Sequence, residues 1–149
     1  MSESQPRVPI TVTHDGGLRF AAQIRSHRVV TDQSVRAGGE DSAPSPIELI
    51  SAALGGCVAL YVHQFCESRR LPHDGMRIEV MPHNATSPNR IAELTVTVRL
   101  PTGLPSHTME MLERVVRSCP AHNTLVHGAS VSVSIEAGTI PEIDAAAPA

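Results

Sequence analysis

Two cysteines, Cys57 and Cys119, are the residues of this chain best suited to covalent chemistry. Cys57 lies in a long apolar segment, where most cysteines are inert small hydrophobes, but Gly55 and Gly56 leave open space beside its sulfur. Cys119 precedes Pro120 at a predicted helix start, where unpaired N–H groups and the helix dipole favour a thiolate. The two would form a redox couple if the fold brings them together, which sequence spacing alone does not decide.

Cys66 and the histidines are weaker candidates for chemistry. Cys66 follows Cys57 by nine residues, which places it on the opposite side of a helix and predicts a core position. His63 lies off the Cys57 face, so we do not expect a Cys–His catalytic pair. Because the eight histidines and the cysteines show no ligand spacing, we expect neither a metal site nor a cofactor.

A helix-start signal precedes the apolar segment. Ser45 is a suitable N-cap, Pro46 suits the first helical position, and Glu48 completes a capping box. The helix is predicted to run to about Arg69 or Arg70. Capping accounts for Glu48, so a catalytic role for this carboxylate would be additional. Apolar residues point in every direction along this helix, which predicts a place in the middle of the protein.

The remaining pattern is that of an α+β fold in one domain. Strands are predicted at Val8–Thr13, Leu18–Arg25, His27–Gln33, Met76–Met81, Ile91–Leu100 and Ala129–Ala137, with a hairpin loop at His83–Arg90 and helices at His107–Ser118 and Pro120–His127. We expect a single domain over residues 1–149, with a core of about 8–137 and loose termini at 1–7 and 138–149.

Composition excludes some function classes. A formal charge of −3, scattered basic residues and only three aromatic residues predict no nucleic-acid binding. Met1–Pro9 lacks the apolar core of a signal peptide, and Leu49–Phe65 is interrupted and shorter than a bilayer crossing needs. We therefore expect a soluble, cytoplasmic protein without membrane contacts, whose three cysteines are free or catalytic.

Two cysteine motifs resemble those of one known family. Residues 45–57, SPIELISAALGGC, resemble the SPxELLxAALGxC segment of the OsmC/Ohr superfamily of osmotically inducible and organic hydroperoxide resistance proteins. Residues 119–125, CPAHNTL, are similar to its second motif, CPxHNTL. Parts of residues 18–41 resemble its N-terminal half. The resemblance covers roughly residues 17–136 and is strongest to the OsmC-like branch.

The resemblance implies an architecture and a chemistry. The architecture is an intertwined homodimer in which a six-stranded, mainly antiparallel sheet wraps a long buried central helix, with active sites at the interface. The chemistry is a thiol-dependent peroxidase that reduces organic hydroperoxides in oxidative-stress defence. Cys57 matches the peroxidatic cysteine and Cys119 the resolving one, so a sulfenic acid at Cys57 would condense with Cys119 to a disulfide. A dithiol or dithiol protein would reduce that disulfide.

The chain departs from the organic-hydroperoxide branch at two helper residues. The glutamate that directly follows the proline in that branch is replaced by Ile47, with Glu48 one step on. The branch also uses an arginine from an N-terminal loop, for which Arg19 and Arg25 are the candidates. Two other functions therefore stay open: binding of a small apolar ligand at the dimer interface with idle cysteines, and thiol–disulfide reduction of proteins, against which the missing CxxC argues.

Overall fold

A computed structural model describes residues 8–138, which contain a three-stranded sheet, a two-stranded sheet and three α-helices. The first sheet is antiparallel in the order β1 (Thr11–His14), β2 (Phe20–Ile24) and β3 (His27–Thr31). The predicted hairpin and third strand are thus confirmed with shorter strands. A tight turn joins β2 to β3, and Arg25 in that turn has a φ of 55°.

One buried carboxylate organises the loop that follows β3. Asp32 is almost completely buried. It accepts hydrogen bonds from the backbone N–H groups of Gln33, Glu40 and Ser42 at 2.7, 3.2 and 3.0 Å, and from the Ser42 hydroxyl at 2.8 Å. The bonds from Ser42 outweigh the effect of burial and lower the pKa of Asp32 to about 2. Hydrogen bonds to the Asp32 carboxylate therefore hold the loop that leads into the first long helix.

The long helix α1 spans Pro46–Ser68, as predicted. Both halves of the capping box are present: the backbone N–H of Ser45 donates to the Glu48 carboxylate at 2.7 Å, and the N–H of Glu48 donates to the Ser45 hydroxyl at 3.4 Å. The helix ends at Arg69, after which Arg70 takes a left-handed φ of 54°. The capping box at one end and the left-handed residue Arg70 at the other thus account for the bounds of α1.

Only one face of α1 is buried within the protomer, whereas the sequence predicted burial all round. The buried face packs mainly against the second sheet and the two later helices. It consists of Ser51, Leu54, Val58, Val62, Phe65 and Cys66. On the opposite side Ala52, Ala53 and Leu60 are exposed, Leu60 by 50%. Ile47 and Ile50, near the start of the helix, are 49 and 40% exposed. One protomer therefore leaves an apolar helix face uncovered.

By length and composition alone, α1 would qualify as a membrane span. It has 23 residues and a mean hydropathy of 1.5 over its most apolar window, so the expectation that the apolar stretch is too short is wrong for the complete helix. Core helices of globular proteins pass the same test. The buried face of α1 packs against the second sheet and the later helices, as the core helix of a globular protein does.

The second sheet is a long antiparallel ribbon of β4 (Arg77–Thr86) and β5 (Asn89–Arg99). Its inner face, which includes Ile78, Val80 and Val96, packs on α1. The predicted loop at His83–Arg90 is wrong, because the ladder continues to Thr86 and Asn89 with a bulge at His83/Asn84. These residues are mostly exposed and polar, so the alternation that marks a half-buried strand is missing there.

Two helices follow, α2 (Ser106–Arg117) and α3 (Pro120–His127), within one residue of their predicted bounds. The predicted last strand at Ala129–Ala137 is wrong, because residues 129–138 form no strand. Val131, Val133 and Ile135 in this segment are 83, 83 and 93% exposed, so the alternating pattern has no surface to pack on within the protomer. The described residues of one protomer thus hold five strands in two sheets, and the six-stranded sheet of an intertwined dimer stays a prediction. The predicted loose termini lie outside these residues, apart from Gly138.

Candidate functional site

The fold brings Cys57 and Cys119 together although 62 positions separate them in the sequence. Cys57 is half-buried on α1, and Cys119 is fully buried at the start of α3. Both are free thiols. Cys57 packs against the core cluster that contains Cys119, and its thiol is near enough to raise the pKa of Cys119.

The start of α3 holds the second thiol in place. Cys119 is the N-cap, with extended backbone, and its Sγ accepts a hydrogen bond from the His122 backbone N–H at 3.3 Å. Pro120 occupies the first helical position, where its missing N–H costs nothing. The side chain of Asn123 donates to the Ser118 carbonyl at 3.2 Å and ties the turn before the helix to its first turn. The residues of the CPAHNTL segment thus have identifiable structural roles around the sulfur.

Burial decides the acidity of Cys119. Desolvation raises the pKa of this thiol, the backbone N–H groups of His122 and Ala121 lower it by less, and the nearby Cys57 thiol raises it further. The sequence-based expectation that the helix start favours a thiolate is therefore wrong in direction, because complete burial outweighs the two N–H donors. Burial likewise raises the pKa of Cys66 against the opposing charge of Arg69. Cys66 is fully buried, which confirms its predicted core position.

Glu48 stays at the far end of the helix. Both Ser45 groups, the backbone N–H and the hydroxyl, bond to its carboxylate at 2.7 Å, and these bonds lower its pKa. Nine residues of helix place it about 13.5 Å along the axis from Cys57 and on the opposite side. The protomer therefore uses Glu48 as a helix cap and does not bring it to the thiols.

The two candidate arginines lie at the turns on either side of β2. Arg19 forms an ion pair with Asp15 at 3.2 Å and donates to the Ser42 hydroxyl at 2.8 Å. Arg25 lies in the turn between β2 and β3, where its carbonyl accepts from the Gln23 side chain. Within residues 8–138, neither arginine forms a hydrogen bond or ion pair with Cys57.

The two glycines before Cys57 differ in their surroundings. A Cβ on Gly55 would lie 3.2 Å from a methyl of Val80, so β4 approaches the helix closely there. A Cβ on Gly56 would meet nothing within 4 Å. Both line a shallow cavity of about 470 Å³ between α1 and β4, together with Ser51. The open space predicted beside Cys57 thus exists at Gly56 and is closed at Gly55.

His122 is the histidine of the CPAHNTL motif, to which the sequence analysis gave no role of its own. Its N–H holds the Cys119 sulfur, and the residue lines a larger cavity, of about 830 Å³, between α1, β5 and α2. Its Nδ1 is buried and has no hydrogen-bond partner among the described residues. The motif match, three residues after Cys119 at the third helical position, was the signal that could have identified it.

The comparison with protein families agrees with this arrangement. A family model described as OsmC-like protein matches residues 39–134, which include both cysteine motifs. The chain belongs to the OsmC family. This confirms the resemblance drawn from the two motifs and the expected α+β OsmC-like fold. No curated protein matches the sequence.

Several solved structures share the OsmC fold. A putative osmotic stress induced and detoxification response protein from Psychrobacter arcticus has 23% identity and a TM-score of 0.73, with 80% of this chain and 89% of that chain covered. An OsmC-like protein from Mycoplasma pneumoniae has 16% identity and a TM-score of 0.68, with 80 and 87% covered. The organic hydroperoxide resistance protein OhrB of Bacillus subtilis has 17% identity and a TM-score of 0.53, with 78 and 90% covered. At these identities the likeness establishes the fold.

Proposed function

We propose that this OsmC-family chain is a thiol-dependent peroxidase that reduces organic hydroperoxides, with Cys57 as the peroxidatic and Cys119 as the resolving cysteine. The observation that carries the proposal is that the fold brings the two thiols into one cluster, where Cys57 is near enough to raise the pKa of Cys119. Two neighbouring thiols can form a disulfide when their Cα atoms come within about 7 Å of each other. Structural neighbours named as organic hydroperoxide resistance proteins support the choice of substrate.

The proposed reaction begins at Cys57, the more accessible of the two thiols. Its thiolate attacks one peroxide oxygen, the O–O bond breaks, and the other oxygen leaves as an alcohol after taking up a proton. The sulfur is oxidised by two electrons to a sulfenic acid.

Resolution follows at the same contact. Cys119 attacks the sulfenic sulfur, an S–S bond forms and water leaves, so the chain ends as an intramolecular disulfide. An external dithiol or dithiol protein returns both cysteines to thiols by exchange and is itself oxidised. In this scheme Glu48 is a helix cap without a chemical role, which distinguishes the chain from the organic-hydroperoxide branch.

Mass spectrometry of the reduced protein tests the proposal. After one equivalent of cumene hydroperoxide, we expect the loss of two hydrogens, mapped to a Cys57–Cys119 disulfide. Cys57→Ser abolishes hydroperoxide consumption, while Cys66→Ala, the matched control at the third cysteine, retains it. If the hydroperoxide is left unconsumed and both thiols stay free, the chain is not a peroxidase.

The larger cavity favours a second candidate function, the binding of a small apolar ligand. Its volume of about 830 Å³ lies in the range of small-molecule sites, and its wall is mostly aliphatic. It is lined within one protomer by residues that include Leu54, Val96 and Leu112. If this is the function, a fluorescent fatty acid binds equally well to wild type and Cys57→Ser but not to Leu104→Trp, which fills the cavity.

We also propose that the protein works as a homodimer. The support is the apolar surface that one protomer leaves exposed: Leu60 on α1, and Val12 and Phe20 on the N-terminal sheet, are 50, 59 and 40% exposed.

The exposed apolar residues indicate where the partner would lie. They are concentrated on the outer face of α1, on the N-terminal sheet and in the segment 129–138. Such a partner would cover the uncovered face of α1 and supply a surface for Val131, Val133 and Ile135. Contiguous apolar surface of this extent marks an interaction site.

A further inference from the structure

A cluster of three metal-ligating side chains lies at the C-terminal end of α1, away from the thiols. His63 and Glu67 are four residues apart on the helix, so their side chains share one face. His73 reaches them from the loop between α1 and β4. The ligand atoms of the three residues all lie within 4.8 Å of one another.

His73 is already oriented as a metal-bound histidine would be. Its Nδ1 lies 2.9 Å from the Leu71 carbonyl oxygen, which only accepts hydrogen bonds, so Nδ1 carries the proton. In the neutral ring this leaves the Nε2 lone pair free, and Nε2 faces the Glu67 carboxylate at 3.5 Å. A backbone carbonyl that fixes the ring in this way is a common partner of metal-bound histidine. The His73 side chain is only 17% exposed, so its position is held by its surroundings.

The distances suit a tetrahedral ion. Ligand atoms bonded to zinc at about 2.0–2.2 Å lie roughly 3.3–3.6 Å from one another. Glu67 and His73 have that separation before any ion binds. His63 is exposed, with its ring edge-on to that of His73 and the ring centroids 4.8 Å apart, so a change of rotamer brings its nitrogen into range.

We propose that His63, Glu67 and His73 bind a divalent transition-metal ion of the zinc class, with one coordination position left for water. Two imidazoles and one carboxylate select Zn²⁺, Co²⁺, Ni²⁺ or Cu²⁺ over Mg²⁺ and Ca²⁺, which take oxygen ligands. Bound there, the ion would tie the end of α1 to the loop that leads into β4. This inference is independent of the proposed peroxidase, because His63 lies about 9 Å along the helix from Cys57 and about 120° around it.

The expectation of no metal site rested on spacing within single segments. His63 and Glu67 alone make an ordinary surface pair, and His73 is separated from them by the end of the helix and Pro72. Only the turn after α1, which folds the loop back on the last helical residues, brings the third ligand close. The site is therefore a product of tertiary structure.

Calorimetric titration of Zn²⁺ tests the proposal. The full chain, free of any affinity tag and carrying Cys57→Ser and Cys119→Ser, is stripped with chelator and titrated. We expect one Zn²⁺ per chain, with affinity reduced at least tenfold in each of His63→Ala, Glu67→Gln and His73→Ala. His83→Ala, an exposed histidine on β4, and Gln64→Ala, on the exposed surface of α1, serve as matched controls and leave the affinity unchanged.

Cobalt absorption of the wild-type chain provides a second measurement that needs no cysteine substitution. We expect bands of Co²⁺ bound by nitrogen and oxygen, which disappear in His63→Ala/His73→Ala, and circular dichroism confirms that this variant is folded. If the site is a plain His73–Glu67 ion pair, no stoichiometric binding occurs. Either that result, or binding that survives removal of both histidines, overturns the proposal.

Discussion

The contact between Cys57 and Cys119 joins two thiols in unlike surroundings. Cys57 is half-buried and beside the open position at Gly56, so a small molecule can approach it. Cys119 is fully buried and protonated by virtue of its raised pKa. One sulfur is thus placed to meet an oxidant and the other to respond to the product. Two further residues, Glu48 and Asp32, have roles in the structure that can be tested by single substitutions.

Glu48→Gln separates helix capping from catalysis. The substitution removes the anion that accepts from Ser45, so we expect a lower melting temperature. The rate constant for oxidation of Cys57 by cumene hydroperoxide should stay within about twofold, since no chemical step passes through Glu48. Ser45→Ala is the matched control: it should lower stability by about 1 kcal/mol with the same unchanged rate. A tenfold loss of rate in Glu48→Gln alone would show that the carboxylate acts at the thiol.

Asp32 makes the stability of the fold depend on pH at the acid end. Its pKa of about 2 lies below the ordinary value of 3.8, so its stabilising effect is complete above about pH 4 and is lost as pH falls towards 2. Asp32→Asn should therefore be less stable at pH 7 and lose less stability between pH 4 and pH 2. Urea unfolding across this range measures both effects. Glu110→Gln, an exposed carboxylate change on α2, should follow the wild-type curve, and a wild-type slope in Asp32→Asn would contradict the assignment.

At the scale of elements, local signals in the sequence were enough for most of the fold. The capping box and Arg70 delimit α1, and Cys119 with Pro120 marks the start of α3. Two elements were mispredicted for a shared reason, because their side chains are exposed in the protomer. The exposed end of β4 at His83–Thr86 lacks the alternation of apolar and polar residues that marks a half-buried strand. The segment 129–137 has that alternation, but its apolar side chains pack on nothing within the protomer. A related limit applies to the candidate sites. The motifs pointed to Cys57 and Cys119 and contain His122, whereas the position of His73 beside His63 and Glu67 depends on the fold after α1.

Gly39 is a test of how tightly the loop after β3 closes. A Cβ at this position would clash with the Gln33 carbonyl group and lie 2.8 Å from the Asp32 carboxylate. Gly39→Ala must therefore shift backbone, and we expect a loss of about 2 kcal/mol or more in chemical unfolding. Gly103→Ala, where a Cβ meets nothing within 4 Å, should change stability by less than about 0.5 kcal/mol. Equal effects of the two substitutions would show that the loop is not closed around Asp32.

At the scale of the whole molecule, many large apolar side chains of the described residues stay exposed in one protomer. Leu60 lies in the middle of the exposed face of α1 and is half exposed. In a two-fold symmetric dimer, Leu60→Glu places a charge in the interface from both protomers. Burial of each leucine is worth about 1.5–3 kcal/mol, so the dimer dissociation constant should rise at least 100-fold.

Analytical ultracentrifugation measures this change. The wild-type chain should sediment at about twice its monomer mass of 15.9 kDa, and Leu60→Glu should shift it towards monomer. Met81→Glu, a similarly exposed apolar residue on β4, is the control and should stay dimeric. A monomeric wild type, or a Leu60→Glu variant with undiminished self-association, would rule out this face as the interface.

The burial of Cys119 also affects the order and the rate of the proposed oxidation steps. A thiol with a raised pKa seldom ionises, so in the proposed reaction Cys57 would be oxidised before Cys119. The sulfenic acid at Cys57 would then persist until Cys119 gives up its proton. We expect its lifetime to lengthen as the solution becomes more acidic, and a second peroxide molecule would compete for the same sulfur during that time. The burial of Cys119 would therefore favour over-oxidation of Cys57 at low pH.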